Sequence, residues 1–107
     1  MTVVALLSVA PVKEGSMAEE VAQAIAALDS FDVSYETNPM GTVIEADDID
    51  TLLAAAGAAH KAVDGDRVST LLKVDDKRGR EFDAGEKVAA VEERLGREAR
   101  GDRRQRR

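Results

Sequence analysis

Residues Val3 to Ala10 constrain the fold more than any other stretch of the chain. Val3, Ala5, Leu7 and Val9 alternate with Val4, Leu6 and Ala10, and only Ser8 interrupts the apolar text. Alternate side chains of a strand point to opposite faces of its sheet. A strand that is apolar on both faces is buried on both. The run therefore predicts a central strand in a sheet covered on each side. Pro11, with no N–H to give a ladder, ends it.

The remaining elements arrange themselves around that strand. Ser16 is a suitable N-cap, and Glu19 three residues on completes a capping box. Met17, Val21, Ala24, Ile25 and Leu28 then recur at helical spacing, so a helix is expected over Met17 to Leu28, with Glu19, Glu20 and Gln23 on its solvent side. Phe31 to Thr37 and Met40 to Ala46 read as strands. Asn38-Pro39-Met40-Gly41 has the composition of a tight turn between them. Asp47 or Asp48 caps a second helix whose buried stripe is Ile49, Leu52, Leu53, Ala56, Ala59 and Val63, and Asp64-Gly65-Asp66 stops it. Arg67 to Val74 is a fourth strand, Asp75 to Arg80 a polar loop, and Glu86 to Leu95 a third helix with Val88, Val91 and Leu95 on one side. The order β-α-β-β-α-β is the split βαβ, ferredoxin-like α+β arrangement, here with an added C-terminal helix. Two helices cover one face of its four-stranded antiparallel sheet and leave the other bare. The doubly apolar first strand needs that bare face covered, and a second copy of the chain is the simplest cover.

At 107 residues the chain is expected to form one domain over residues 1–95, followed by an Arg-rich, unstructured tail over residues 96–107. Through Leu95 there are 19 acidic and 9 basic residues; from Gly96 on there are 2 acidic and 6 basic. An acidic body repels nucleic acid and anionic lipid, and the basic tail has no aromatic platform for stacking bases. The chain has no cysteine, which excludes disulfides, thiolate metal sites and cysteine nucleophiles. No apolar run approaches the roughly 20 residues of a membrane span. The apolar start lacks a basic leader. A cytoplasmic protein without a cofactor is expected.

Strand parity gathers the polar candidates. If the more apolar set of each strand meets the helices, then Glu36, Asn38, Glu45, Ser69 and Lys73 share the other face, joined by Ser8 if Leu7 points to the helices. Such a cluster is either a Glu–Lys salt-bridge network across the sheet or a pocket whose carboxylates and hydroxyls receive a polar cation. Other candidates are weaker. His60, the single histidine, reads as a surface residue and has no partner for a zinc site. Asp47-Asp48-Ile49-Asp50 lacks calcium-loop spacing and suits helix capping better. Gly15-Ser16 is too short for a phosphate loop, and nothing has the pattern of a serine-hydrolase triad.

Three segments together carry a resemblance. They are the strand ending Ser8-Val9-Ala10-Pro11, the hairpin from Tyr35 to Ala46, with Met40, Gly41, Thr42 and Glu45, and the stretch Arg67 to Arg78 with its Leu72-Lys73-Val74-Asp75-Asp76-Lys77-Arg78 end. From Val3 to Leu95 the chain resembles the thiamine-binding protein family of small ferredoxin-like domains. The resemblance implies a non-enzymatic domain that binds thiamine or its hydroxymethylpyrimidine part, assembled as a homo-oligomer, a dimer of dimers. On that reading Glu36 or Glu45 accepts from the amino group and offsets the thiazolium charge. Ser8, Asn38, Thr42 and Ser69 supply orienting hydrogen bonds, Met40 an adaptable apolar wall, and Lys73 completes the set. The alternatives are an oligomeric structural or regulatory interaction domain with no small ligand, and a small enzyme with a carboxylate base in the same cleft.

Overall fold

The structure, a computed structural model, describes residues 2–78 and 84–100. Strand β1 spans Val3–Pro11, helix α1 Ala18–Leu28, β2 Val33–Asn38, β3 Gly41–Ala46, helix α2 Ile49–Ala62, β4 Val68–Asp76 and helix α3 Ala84–Leu95. The strands form one antiparallel sheet in the order β2-β3-β1-β4. This is the ferredoxin-like α+β arrangement, with the doubly apolar strand at its centre as the pattern requires.

The register fixes both faces. Val3, Ala5 and Leu7 stand opposite Ala46, Ile44 and Thr42 of β3 and opposite Asp76, Val74 and Leu72 of β4. This set points toward α1 and α2. The core gathers Val3, Ala5, Leu7, Val9, Ile44 and Ala46 from the sheet with Ala24 and Leu28 from α1 and Leu52, Ala55, Ala56 and Ala59 from α2. Helices α1 and α2 also pack against each other.

The second face of the sheet carries Val4, Leu6, Ser8 and Ala10 of β1, Val43 and Glu45 of β3, and Ser69, Leu71, Lys73 and Asp75 of β4. It lacks a helical layer like the first. Leu71 is 61% exposed. Helix α3 is tied to this side by an ion pair between Lys87 and Asp75. The lysine hydrogen bond holds the Asp75 carboxyl below its usual range. The apolar stripe of α3, Val88, Val91 and Leu95, remains about half exposed.

Local chemistry sets several boundaries. Asp48 is the N-cap of α2: its Oδ1 accepts from the Thr51 N–H at 2.7 Å, which lowers its pKa. The expected capping box on α1 does not form. Met17 occupies the cap position, Ser16 Oγ accepts from the Ala18 N–H at 3.3 Å, and the helix starts one residue late. Glu20, expected in solvent, is turned inward and buried against Lys13 of the preceding loop. Lys13 holds the Glu20 carboxyl below the usual glutamate range. On α2, Leu53 is exposed and Ala55 takes its place in the core, because the helix packs on both the sheet and α1 and its buried stripe is centred on Leu52, Ala55, Ala56 and Ala59. Strand β2 starts two residues later than expected, and β4 continues to Asp76. His60 is exposed, with its Nδ1 2.5 Å from Thr70 Oγ1. Past α3, Gly96 takes φ of 73° and its N–H donates to the Glu92 carbonyl at 2.8 Å. Of the expected tail, residues 101–107 lie outside the described residues.

Candidate functional site

The β2–β3 hairpin turns in two residues, Pro39 and Met40, between the paired Asn38 and Gly41. Asn38 Oδ1 accepts from the Met40 N–H at 2.8 Å, a side-chain mimic of a backbone turn. Gly41 is required at the other corner. Its φ is +153°, and a Cβ there would stand 2.8 Å from the carbonyl oxygen of Leu7. Only glycine lets the hairpin lie this close against β1. Just inside the turn, Thr37 and Thr42 pair across the strands with their hydroxyls 3.0 Å apart. Thr42 is buried, on the helix side of the sheet.

A cleft of about 150 Å³ opens where this hairpin tip, the end of β1 and α1 meet. Leu7, Val9, Val21, Ala24, Ile25 and Leu28 form its apolar walls, and Thr37, Asn38, Met40 and Thr42 its rim. None of the lining side chains is a charged or readily titrated group. An apolar hollow with a few convergent polar groups is the usual form of a small-molecule site. Its volume is about half the roughly 300 Å³ at which pockets for drug-sized ligands begin. It suits one planar ring, with the rest of a larger ligand outside. Met40, 80% exposed, stands at the mouth, where its unbranched side chain offers an adaptable apolar surface.

The sequence-derived candidates divide between this cleft and the opposite face of the sheet. Asn38, Met40 and Thr42 line the cleft, and Ser8 borders it from the second face of β1. Glu36 and Glu45 lie on the open face, in a shallow depression of about 280 Å³ shared with Ser34, Tyr35, Val43 and Gly85 of α3. Ser69 and Lys73 lie on the open face of β4, beyond β1. Lys73 and Glu36 belong to one transverse row, Glu36, Val43, Leu6, Lys73. Three strand spacings of about 4.8 Å separate them, roughly 14 Å in all, so they are not cross-strand neighbours. On this face Asp75 forms an ion pair with Lys87 of α3. Near the depression, Tyr35 donates its hydroxyl to Asp29 Oδ1 at 2.6 Å. That bond and the carboxylate charge raise the phenol above its ordinary pKa. Among the described residues no group of three or more His, Cys, Asp or Glu side chains could hold a metal ion, and no helix is long and apolar enough to cross a membrane.

Sequence reasoning missed the α1 wall and Thr37. The signal was present in one residue. Ala24 is the small member of the stripe Val21, Ala24, Ile25, Leu28, and it leaves the space that the cleft occupies.

These features are those of a small ferredoxin-like α+β domain. Residues 5–92 match the model of the thiamine-binding protein family, and the chain belongs to that family. A UPF0045 protein of Methanothermobacter thermautotrophicus is 43% identical over 83 residues, which are 75% of this chain and 84% of the relative. The crystal structure of a hypothetical protein from Methanocaldococcus jannaschii, 39% identical, superposes with a TM-score of 0.78 over 86% of this chain and 97% of its own. That of a Thermotoga maritima protein described as a candidate for thiamine biosynthesis or salvage, 25% identical, has a TM-score of 0.65 over 85% of this chain and 99% of its own.

Proposed function

We propose that this protein binds thiamine or its hydroxymethylpyrimidine part without transforming it, and that the ring enters the cleft between α1 and the tip of the β2–β3 hairpin. The observation that carries the proposal is the composition of the cleft: apolar walls from Leu7, Val9, Val21 and Leu28, a polar rim from Thr37, Asn38 and Thr42, and no charged side chain. Such a site holds a neutral heteroaromatic ring by its faces and orients it by its edge. The same lining supplies no general acid or base, which supports binding over conversion. Membership of a family named for thiamine binding, and a neighbour described in terms of thiamine biosynthesis or salvage, support the choice of ring. The protein would then act in the cytoplasm as a carrier, buffer or sensor of the vitamin.

A second reading keeps the ligand on the open face. Glu36 and Glu45 share one depression there, and two carboxylates attract a cation such as the thiazolium. In either case the exposed Leu71 and the half-exposed stripe of α3 favour an oligomer in which a second copy covers this face. Ser69 and Lys73 then lie at or near the contact between copies.

Isothermal titration with thiamine and with hydroxymethylpyrimidine tests the proposal. Heat that disappears in Ala24→Leu and persists in Glu36→Gln and Glu45→Gln supports the cleft. The reverse pattern supports the open face. No heat from the wild type with any of these compounds removes both readings and leaves an interaction domain without a small ligand.

A further inference from the structure

Past Leu7, β1 loses its neighbour on one side. It pairs with β3 only from Val3 to Leu7, whereas its pairing with β4 continues to Pro11. The alternation of an antiparallel ladder then decides where each backbone group points. The Val12 N–H donates to the carbonyl of Arg67 at 2.8 Å. Val12, Ala10, Ser8 and Leu6 therefore turn their N–H and C=O toward β4, and Leu7 and Val9 turn theirs the other way. Leu7 is the last of these to stand opposite a residue of β3, Thr42. The N–H and C=O of Val9 point past the end of β3, beside the hairpin tip, into the cleft that Val9 lines. Among the described residues neither group has a partner outside the ladder, and on this side the ladder has ended. Val9 is 6% exposed. A backbone donor and acceptor left without a strand partner beside an apolar cleft call for another partner.

The chemistry of that partner follows from the geometry. The two groups of one extended residue lie side by side in the plane of the sheet, donor next to acceptor. Their complement is a planar ring that carries an acceptor nitrogen beside an amino group. We infer that the edge of β1 at Val9 is the recognition element of the cleft, and that it reads an amino-substituted nitrogen heteroaromatic ring. The Val9 N–H donates to the ring nitrogen, and the exocyclic amino group donates to the Val9 carbonyl. Gly41 makes this possible by letting the hairpin lie against Leu7 without covering Val9. The inference rests on the cleft being the ligand site. It adds that the ring is chosen by its donor–acceptor order, through main chain that no side-chain substitution removes.

The test uses two pyrimidines of nearly equal size: the hydroxymethyl aminopyrimidine and its oxo counterpart, in which the ring nitrogen carries a proton and the exocyclic atom only accepts. Each is titrated into the full, isotope-labelled chain, with affinity and the Val9 amide resonance both followed. The expected result is that the amino compound binds, moves the Val9 resonance and slows its hydrogen exchange. The oxo compound should bind roughly 10- to 100-fold more weakly, since both contacts become donor to donor and acceptor to acceptor. If the oxo compound binds as tightly, or the Val9 amide stays still while the amino compound binds, the strand-edge reading is overturned and the proposed function survives. If neither pyrimidine nor thiamine binds, both fall.

Discussion

Replacing Gly41 by alanine tests how the hairpin is held on the sheet. The added Cβ would stand 2.8 Å from the carbonyl oxygen of Leu7 and 3.1 Å from Leu6 Cδ1. The first contact is with backbone, which cannot swing aside. The φ of +153° is also one that a side chain rarely adopts, at a cost of roughly 1–3 kcal/mol. Relief requires the hairpin to lift from β1, which weakens the last rung between Leu7 and Thr42 by about 1 kcal/mol per hydrogen bond. The variant should lose roughly 2–4 kcal/mol of stability. For a domain of this size that lowers the melting temperature by roughly 10–20 °C. Because the same movement opens the cleft, ligand affinity should fall with it. Gly57 is the control. It lies inside α2, and a Cβ there meets nothing within 4 Å, so Gly57→Ala should stabilise by roughly 0.5–1 kcal/mol. Urea denaturation of both variants at one fixed protein concentration reads the difference. A Gly41→Ala protein as stable as Gly57→Ala would refute the close approach of hairpin and strand.

Further expectations follow from single contacts. Asp48→Ala removes the cap of α2 and should cost about 1 kcal/mol in the same urea assay; an unchanged midpoint would deny the cap its role. The Glu20 carboxyl is held below its usual range by Lys13, so its share of stability is present above the unfolded glutamate pKa and lost as pH falls through the folded value. Glu20→Gln should therefore flatten the acid limb of the stability–pH curve, and an identical limb in the variant would contradict the pairing. Tyr35 has the opposite sign. Its raised pKa gives stability that is present below the ordinary tyrosine value near 10 and lost as pH rises through the folded value, so Tyr35→Phe should remove that alkaline loss in thermal melts. In the proposed oligomer, Leu71→Lys, on the exposed face of β4, should lower the mass seen by light scattering without unfolding the chain; an unchanged mass would contradict a contact through this face.

The fold was legible because its constraints are local. Val3 to Ala10 announces a central strand by periodicity alone, and Asn38-Pro39-Met40-Gly41 announces the turn that joins the next two. The candidate site was only half legible. Parity put Glu36 and Glu45 on one face and Thr42 and Ile44 on the other, as the register has them. Combining Thr42 and Met40 with the carboxylates merged two sides of a sheet into one pocket. No sequence pattern reports that β1 outruns β3 by several residues, since that offset comes from where the hairpin turns relative to the pairing of β1 with β4. Nor does a sequence report that Lys13 reaches from a loop to draw Glu20 inward, because that choice between Glu19 and Glu20 depends on the path of the loop.

A crystal structure of the protein with thiamine tests the cleft most directly. The aminopyrimidine ring should lie between Ala24 and Met40, edge-on to Val9, with the thiazolium outside the mouth. Electron density for thiamine on the open face, against Glu36 and Glu45, with the cleft unfilled, would contradict it.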